Sequence, residues 1–255
     1  MVGMLLHLDA STHPWLPDLP DQDLVVMLDD ADGQILFACF FAQEGTFSTL
    51  VALKHVLVRL GRICEFYTDR GSHFSHTSKA GGPPDEEQHG QVARVLRALG
   101  IHHILARSPE ARGRSERAFG TIQGRLPQEL RAAGITSYEA AGPYLEKVFV
   151  PDFNRRFTVQ PRQPESAFVH CVGLNLELLL SVQHERVVRN DSTVLFGRCT
   201  LQLPKTPMRP HYVRCPVLVH EFLDGRLGVS YQGQLLARYS SEGHLLGAIS
   251  NRRAA

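Results

Sequence analysis

Two short apolar runs, far apart in the chain, each deliver an aspartate at or near their ends: Asp9 in MLLHLDAS and Asp69 in EFYTD. Runs of this kind read as strands. A third acid, Glu116, stands in Ser108 to Leu130, SPEARGRSERAFGTIQGRLPQEL, a helix otherwise crowded with arginines. Two strand-borne aspartates and a helix-borne glutamate meet at one point only if that helix packs across the sheet. This requirement points to an α/β fold, and three converging carboxylates would bind divalent cations as a two-metal phosphoryl-transfer site does.

The remaining pattern supplies the elements such a sheet needs. After the strand Met4 to Ser11 comes the proline-rich loop THPWLPDLPDQ, and then DLVVMLDDADGQILFACFF reads as two strands reversing at Asp29 to Gly33. Asp29 and Asp30 rival Asp9 as the first acid of the site, but Asp and Gly are also what a tight reversal requires. Thr46 to Gly61 carries an apolar stripe at helical spacing, with Thr46 as cap and Gly61 as stop, and the strand Ile63 to Thr68 follows. Ser75 to Gly90 reads as a mobile loop, Glu86 to Leu99 as a helix and Ile101 to Ala106 as a strand. His102 and His103, adjacent on that strand, point to opposite faces and so cannot share one metal. Ser108 and Pro109 suit the cap and first turn of the Glu116 helix, and Thr136 to Phe153 reads as a further helix. PDFNRRFTVQPRQPESAF then reads as an irregular arm, Leu174 to Leu180 as a linker helix, and HERVVR, STVLF, CTLQL, PVLVHEFL, GRLGVSY and GQLLARYS as short strands of a small β-barrel.

The formal net charge of +1 conceals an asymmetry. Residues 1 to 93 hold five Lys and Arg against thirteen Asp and Glu, a balance of −8; residues 94 to 131 hold eight against three, or +5, and residues 178 to 255 ten against five, again +5. An acidic strand-rich half beside a basic helix and a basic tail suits a metal site facing a phosphate backbone. Arginine outnumbers lysine, and its planar fork fits phosphate oxygens. The five cysteines are odd in number and free of any CxxC pair, so neither a disulfide framework nor a zinc knuckle is indicated. No apolar run reaches the roughly 18 to 20 residues of a membrane span, and no signal-peptide pattern opens the chain; a cytoplasmic protein is expected.

Asp9 in LDASTHPWL, TDRGSHF around Asp69 and SPEARGRSER around Glu116 resemble, in that order, the catalytic core of DDE transposases and retroviral-type integrases. Together with VVMLDDADGQIL, LGIHHILARSPEARGRSERAFGTIQGRL and DFNRRFTVQPRQPESAF, they are similar to bacterial insertion-sequence transposases of the ISNCY kind over roughly residues 4 to 170. The resemblance implies an RNase H-like mixed five-stranded sheet flanked by helices over residues 1–170, a linker over 171–182 and a small SH3-like β-barrel over 183–250. It gives Asp9, Asp69 and Glu116 the catalytic and metal-binding roles, with two Mg²⁺ ions for which Mn²⁺ can substitute. It implies DNA strand cleavage and strand transfer on element ends and target DNA by a homo-oligomer that is nucleoid-associated when bound. Arg70, Arg107, Arg112, Arg114, Arg117, Gln123, Arg125, Arg155 and Arg156 are the candidate DNA contacts. Full-length relatives carry an amino-terminal helix-turn-helix region, whereas this chain begins almost at the first catalytic strand. A truncated copy, a frame acting with a separate helix-turn-helix subunit, or a domesticated remnant that binds DNA without turnover are the alternatives; a structure-specific nuclease on the same fold is a third reading of the activity.

Overall fold

The structure, a computed structural model, describes residues 1–69, 90–106, 113–205 and 209–248. The chain divides into two compact units, residues 1–174 and 175–255. The boundary falls inside the stretch expected as a linker.

The first unit is built on a five-stranded sheet. Its strands are β1 (Leu5–His13), β2 (Gln22–Asp29), β3 (Ile35–Phe41), β4 (Glu65–Thr68) and β5 (His102–Leu105), in the order β3-β2-β1-β4-β5. β1, β2 and β3 pair antiparallel, while β4 lies parallel to both β1 and β5. This is the RNase H-like mixed sheet. The β2–β3 reversal is secured by Asp29, which is almost fully buried and accepts the Ala31 and Gly3 backbone N–H groups at 2.9 and 2.7 Å. Its carboxyl is therefore structural, and burial pushes its pKa above the usual carboxylate value.

Each strand has two faces, and the helices sort onto them by period. α1 (Thr46–Arg59) packs on β2 and β3, while α2 (Gln91–Leu99) meets α1 and β5. α2 ends where Gly100 adopts φ +65°, the left-handed conformation that favours glycine. Leu24, Val26 and Leu28 of β2 point to the opposite face and join Phe119, Ile122, Leu126 and Leu130 of α3 (Gly113–Ala132) in one buried cluster. Those four α3 residues repeat at three- and four-residue spacing, the apolar stripe that fixes which side of the helix meets the sheet.

The next helix runs further than its prolines suggest. α4 (Tyr138–Tyr144) passes through a π-helical turn at Leu145–Phe149 into α5 (Val150–Phe157). The sequence pattern predicts an end at Phe153 and an irregular arm beyond it. Pro151 instead sits in the first turn of α5, where its missing N–H is least costly, directly after the wider π-turn. Arg155 and Arg156 consequently belong to a helix.

In the second unit α6 (Leu176–Leu179) precedes β6 (Val182–Val187), β7 (Thr193–Phe196), β8 (Cys199–Gln202), β9 (Pro216–Glu221), β10 (Leu227–Tyr231), β11 (Gln234–Tyr239) and β12 (Leu245–Ala248). The six anticipated strands are joined by β12, which the sequence reading missed. The expected barrel is not one closed ladder among the described residues. An antiparallel sheet in the order β12-β11-β10-β9-β6 is accompanied by a separate β7–β8 pair, with β6 and β12 at opposite edges. Val194, Val219, Val229, Ala237 and Tyr239 form its dry centre, and the Tyr239 hydroxyl donates to the Gln202 carbonyl at 2.8 Å.

Among the described residues no helix is long and apolar enough to cross a membrane. The α3 stripe predicts a clear mutational result. Leu126→Ala empties a fully buried position and should destabilise the first unit by about 2–5 kcal/mol. Trp15, the sole tryptophan, lies in the same cluster, so its fluorescence during urea unfolding of the full chain reads that loss.

Candidate active site on strands β1 and β4

Asp9 lies in the second half of β1 opposite Val26 of β2. Directly opposed residues share a sheet face, so Asp9 is on the side of Val26, the side covered by α3. It is half-buried, and its Oδ1 accepts the Ala10 backbone N–H at 3.0 Å. On its other edge β1 pairs with β4 in the register Leu5–Glu65, Leu6–Phe66 and His7–Tyr67. The pairing ends there: Asp9 is two residues further along β1, and Asp69 two residues beyond Tyr67, just past the end of β4. Side chains two residues apart on a strand share a face, so Asp9 continues the face of His7, and Asp69 follows Tyr67 at the same interval.

Asp69 is anchored through its backbone. The Thr68 hydroxyl donates to the Asp69 carbonyl oxygen at 3.0 Å and meets His103 Nε2 at 2.9 Å. The relay links β5 to the tip of β4. Burial, and secondarily the neighbouring His102, push the His103 pKa down to about 4. His102 is exposed, with Nδ1 3.5 Å from Glu65 Oε1. The two histidines thus fall on opposite faces, with His103 in a structural role.

Glu116 is exposed in the first turn of α3. Its place relative to the sheet is set by Gln123, seven residues on and therefore two turns along the same flank. Gln123 Nε2 donates to Ser11 Oγ at 2.7 Å, and Ser11 is two residues beyond Asp9 on the same strand face. The Glu116 flank of α3 therefore faces β1. Among the described residues no three His, Cys, Asp or Glu side chains are gathered closely enough to hold a metal ion. Asp9 and Asp69 each stand two residues beyond the last β1–β4 pair and the Glu116 flank of α3 faces β1, but the three are not gathered into one cluster.

The candidate DNA contacts separate into distinct environments. Arg70, Arg107 and Arg112, and the side chain of Arg114, lie outside the described residues. Arg117 is exposed, its Nε donating to the Gly113 carbonyl at 2.8 Å. Gln123, expected along a phosphate backbone, is instead turned inward onto Ser11. Arg125 is likewise committed internally: its Nη2 lies 2.9 Å from Asp152 Oδ2 and 2.7 Å from Glu129 Oε1, and its guanidinium sits over the Phe149 and Phe157 rings at 5.7 and 5.5 Å. A planar cation between two carboxylates and two rings joins α3 to α5 as a packing element. Arg155 and Arg156 also reach Asp152 but remain largely exposed. Arg125 first, then the other two, hold the Asp152 carboxyl below the usual carboxylate range. Sequence reasoning missed Ser11 and the Thr68–His103 relay; the even spacing of Ser11 from Asp9 was the one available signal.

No family model matches the chain. It is 31% identical over 238 residues, 92% of its length, to y4bF of Sinorhizobium fredii, a protein named as a transposase. It is also 31% identical over 200 residues, 77% of its length, to the transposase for insertion sequence IS1202 of Streptococcus pneumoniae. Over most of its own length the chain is thus similar to insertion-sequence transposases. It spans about half the length of these relatives, covering 51% of the first and 42% of the second. Among solved structures it is similar to the HTLV-2 integrase catalytic core domain in complex with magnesium, at 16% identity and TM-score 0.42 over 58% of this chain and 89% of that one. A chain of the simian T-cell lymphotropic virus intasome structure aligns with 98% of this chain and 80% of its own length, at 15% identity and TM-score 0.45.

His103 gives the site a pH signature. The unfolded imidazole protonates near 6.5 and the folded one only near 4, so stability is full above pH 6.5 and falls as pH drops toward 4. At 1.36 kcal/mol per unit the loss is at most about 3–4 kcal/mol. His103→Gln should flatten this slope in denaturant unfolding followed between those pH values.

Proposed function

We propose that this chain is the catalytic part of a transposase that cuts and joins DNA strands by metal-assisted phosphoryl transfer, with Asp9, Asp69 and Glu116 as its carboxylates. The parallel β1–β4 pairing, with Asp9 and Asp69 each two residues beyond its His7–Tyr67 pair, is the observation that supports the reading. An aspartate pair on adjacent parallel strands is repulsive when ionised unless a cation lies between, and a helix flank bearing a glutamate faces the same strand. The donor set is all carboxylate oxygen, which suits Mg²⁺ or Mn²⁺ rather than a softer metal. Asp9 and Asp69 would hold such ions jointly, with Glu116 completing one shell. When bound, two divalent ions supply Lewis-acid stabilisation of the charge that develops at the scissile phosphate.

The residues of the chain do the positioning. Thr68 and His103 fix the Asp69 backbone, and Gln123 fixes α3 along β1, so the carboxylates approach from rigid elements. Arg117, Arg155 and Arg156 present exposed guanidinium groups for backbone phosphates. Water is the nucleophile that frees a 3′-hydroxyl at the element end, and that hydroxyl then attacks target DNA in line, with no covalent enzyme intermediate. The working form is a homo-oligomer on DNA, and the second unit contacts DNA or a neighbouring protomer.

A supercoiled-plasmid nicking assay with Mg²⁺ or Mn²⁺ tests this. Asp9→Asn and Glu116→Gln should each lower nicking by more than about 100-fold, since even outer partners of metal ligands cost about 10–100-fold. Both variants should keep the parent's thermal unfolding and its salt-dependent DNA binding. Undiminished nicking in either variant sinks the assignment, and binding without nicking by the parent chain leaves a DNA-binding module.

A further inference from the structure

A cleft of about 380 Å³ opens beside the carboxylate site, between α3, the end of β2 and the end of α5. That volume is in the range of small-molecule and nucleobase sites. Its apolar side is formed by Leu28, Phe153, Phe157 and Val159. Phe153 is buried, but Phe157 is 44% and Val159 59% exposed, a high exposure for large apolar side chains at the close of a helix. The Phe157 ring is braced by Phe153 at 4.8 Å and by the Arg125 guanidinium at 5.5 Å. A rigid aromatic surface left half in solvent is a stacking platform.

The polar side consists largely of acceptors. Asp32 is nearly buried, and its Oδ1 already receives the Gln34 backbone N–H at 2.9 Å, leaving Oδ2. The Thr121 hydroxyl donates its hydrogen to the Arg117 carbonyl at 3.1 Å and so offers lone pairs. His7 also lines the cleft, its Nε2 3.0 Å from Asp30 Oδ1. At the cleft Arg117 is exposed and cationic.

We propose that this cleft receives one unpaired nucleobase of the DNA strand held at the carboxylates, and that it favours bases carrying an exocyclic amino group over thymine. The inference rests on the function proposed above and adds a subsite to it. Amino N–H donors of adenine and cytosine match the acceptors, the base plane matches Phe157, and the adjoining phosphate matches Arg117. The distance also fits. His7 precedes Asp9 by two residues on one strand face, about 7 Å, or about two base steps of stacked DNA. Arg117 directly follows Glu116 in α3.

The test is fluorescence anisotropy on the full chain with short single-stranded dA, dC and dT homopolymers and a blunt duplex of equal length. The parent should bind dA and dC at least about 5-fold more tightly than dT. Phe157→Ala should weaken dA and dC binding about 10-fold, the cost of losing one stacked base. Duplex binding should move by less than about twofold, and Phe157→Trp should retain the parent's affinity. Asp32→Asn keeps the oxygen that receives Gln34 but exchanges the second acceptor for a donor, so it should narrow the preference over dT without unfolding the turn. Single-strand binding that is indifferent to Phe157→Ala, or a base preference unmoved by Asp32→Asn, overturns the subsite. These outcomes are separate from the catalytic reading, because Glu116→Gln nicking is scored independently and that variant should keep the base preference.

Discussion

The parallel ladder between β1 and β4 is the constraint on which the site depends. Side chains alternate along a strand, so slipping this pairing by one residue would turn Asp69 to the opposite face from Asp9. The register is held on both sides. β1 is also paired with β2 from Leu6 to His13, and β4 is paired with β5 from Glu65 to Thr68. Leu6 and Phe66 are fully buried at adjacent register positions, which penalises a slip further by exposing large apolar surface. The strand segments that lead to Asp9 and Asp69 are thus held in register by their hydrophobic neighbours.

α3 does two jobs with one surface pattern. Phe119, Ile122, Leu126 and Leu130 bury its inner stripe against β2 and the α4–α5 helix. The flank beside that stripe carries Glu116 and Gln123 toward β1, and the other flank presents Arg117 and Thr121 to the cleft. Arg125 then fixes the helix to α5 through Asp152, Phe149 and Phe157. A residue that looks like part of a phosphate-binding stripe is here a joint between helices. The exposed Arg155 and Arg156, on the same carboxylate, keep most of their charge at the surface.

The second unit holds its own leading helix. Glu177 of α6 receives the paired nitrogens of Arg238, one of them at 2.6 Å, together with Arg226 at 3.2 Å, and Arg238 also lies over the Phe222 ring at 5.0 Å. Just beyond α6, buried Ser181 meets His220 Nδ1 at 2.8 Å, and His220 Nε2 meets Ser230 Oγ at 2.7 Å. The linker helix is therefore tied to β9, β10 and β11. The fork of Arg238 on Glu177 is the bidentate geometry that an arginine, but not a lysine, supplies.

Local pattern determined much of this protein. Apolar alternation gave the strands, the Asp29 to Gly33 reversal came from turn chemistry, and the α3 stripe followed from its period. The family resemblance supplied the order of the acids and the mixed sheet, because motif order survives where pairing partners cannot be read. Tertiary structure decided what depends on contacts between distant segments. The continuation of α5 past Pro151 required the π-turn, and the seventh short strand of the second unit required a neighbour to pair with. Gln123 and Arg125 turned inward because Ser11 and Asp152, 112 and 27 residues away, were there to receive them. A side chain's charge and length are written in the sequence, but its partner is chosen by packing, and packing is a property of the whole fold.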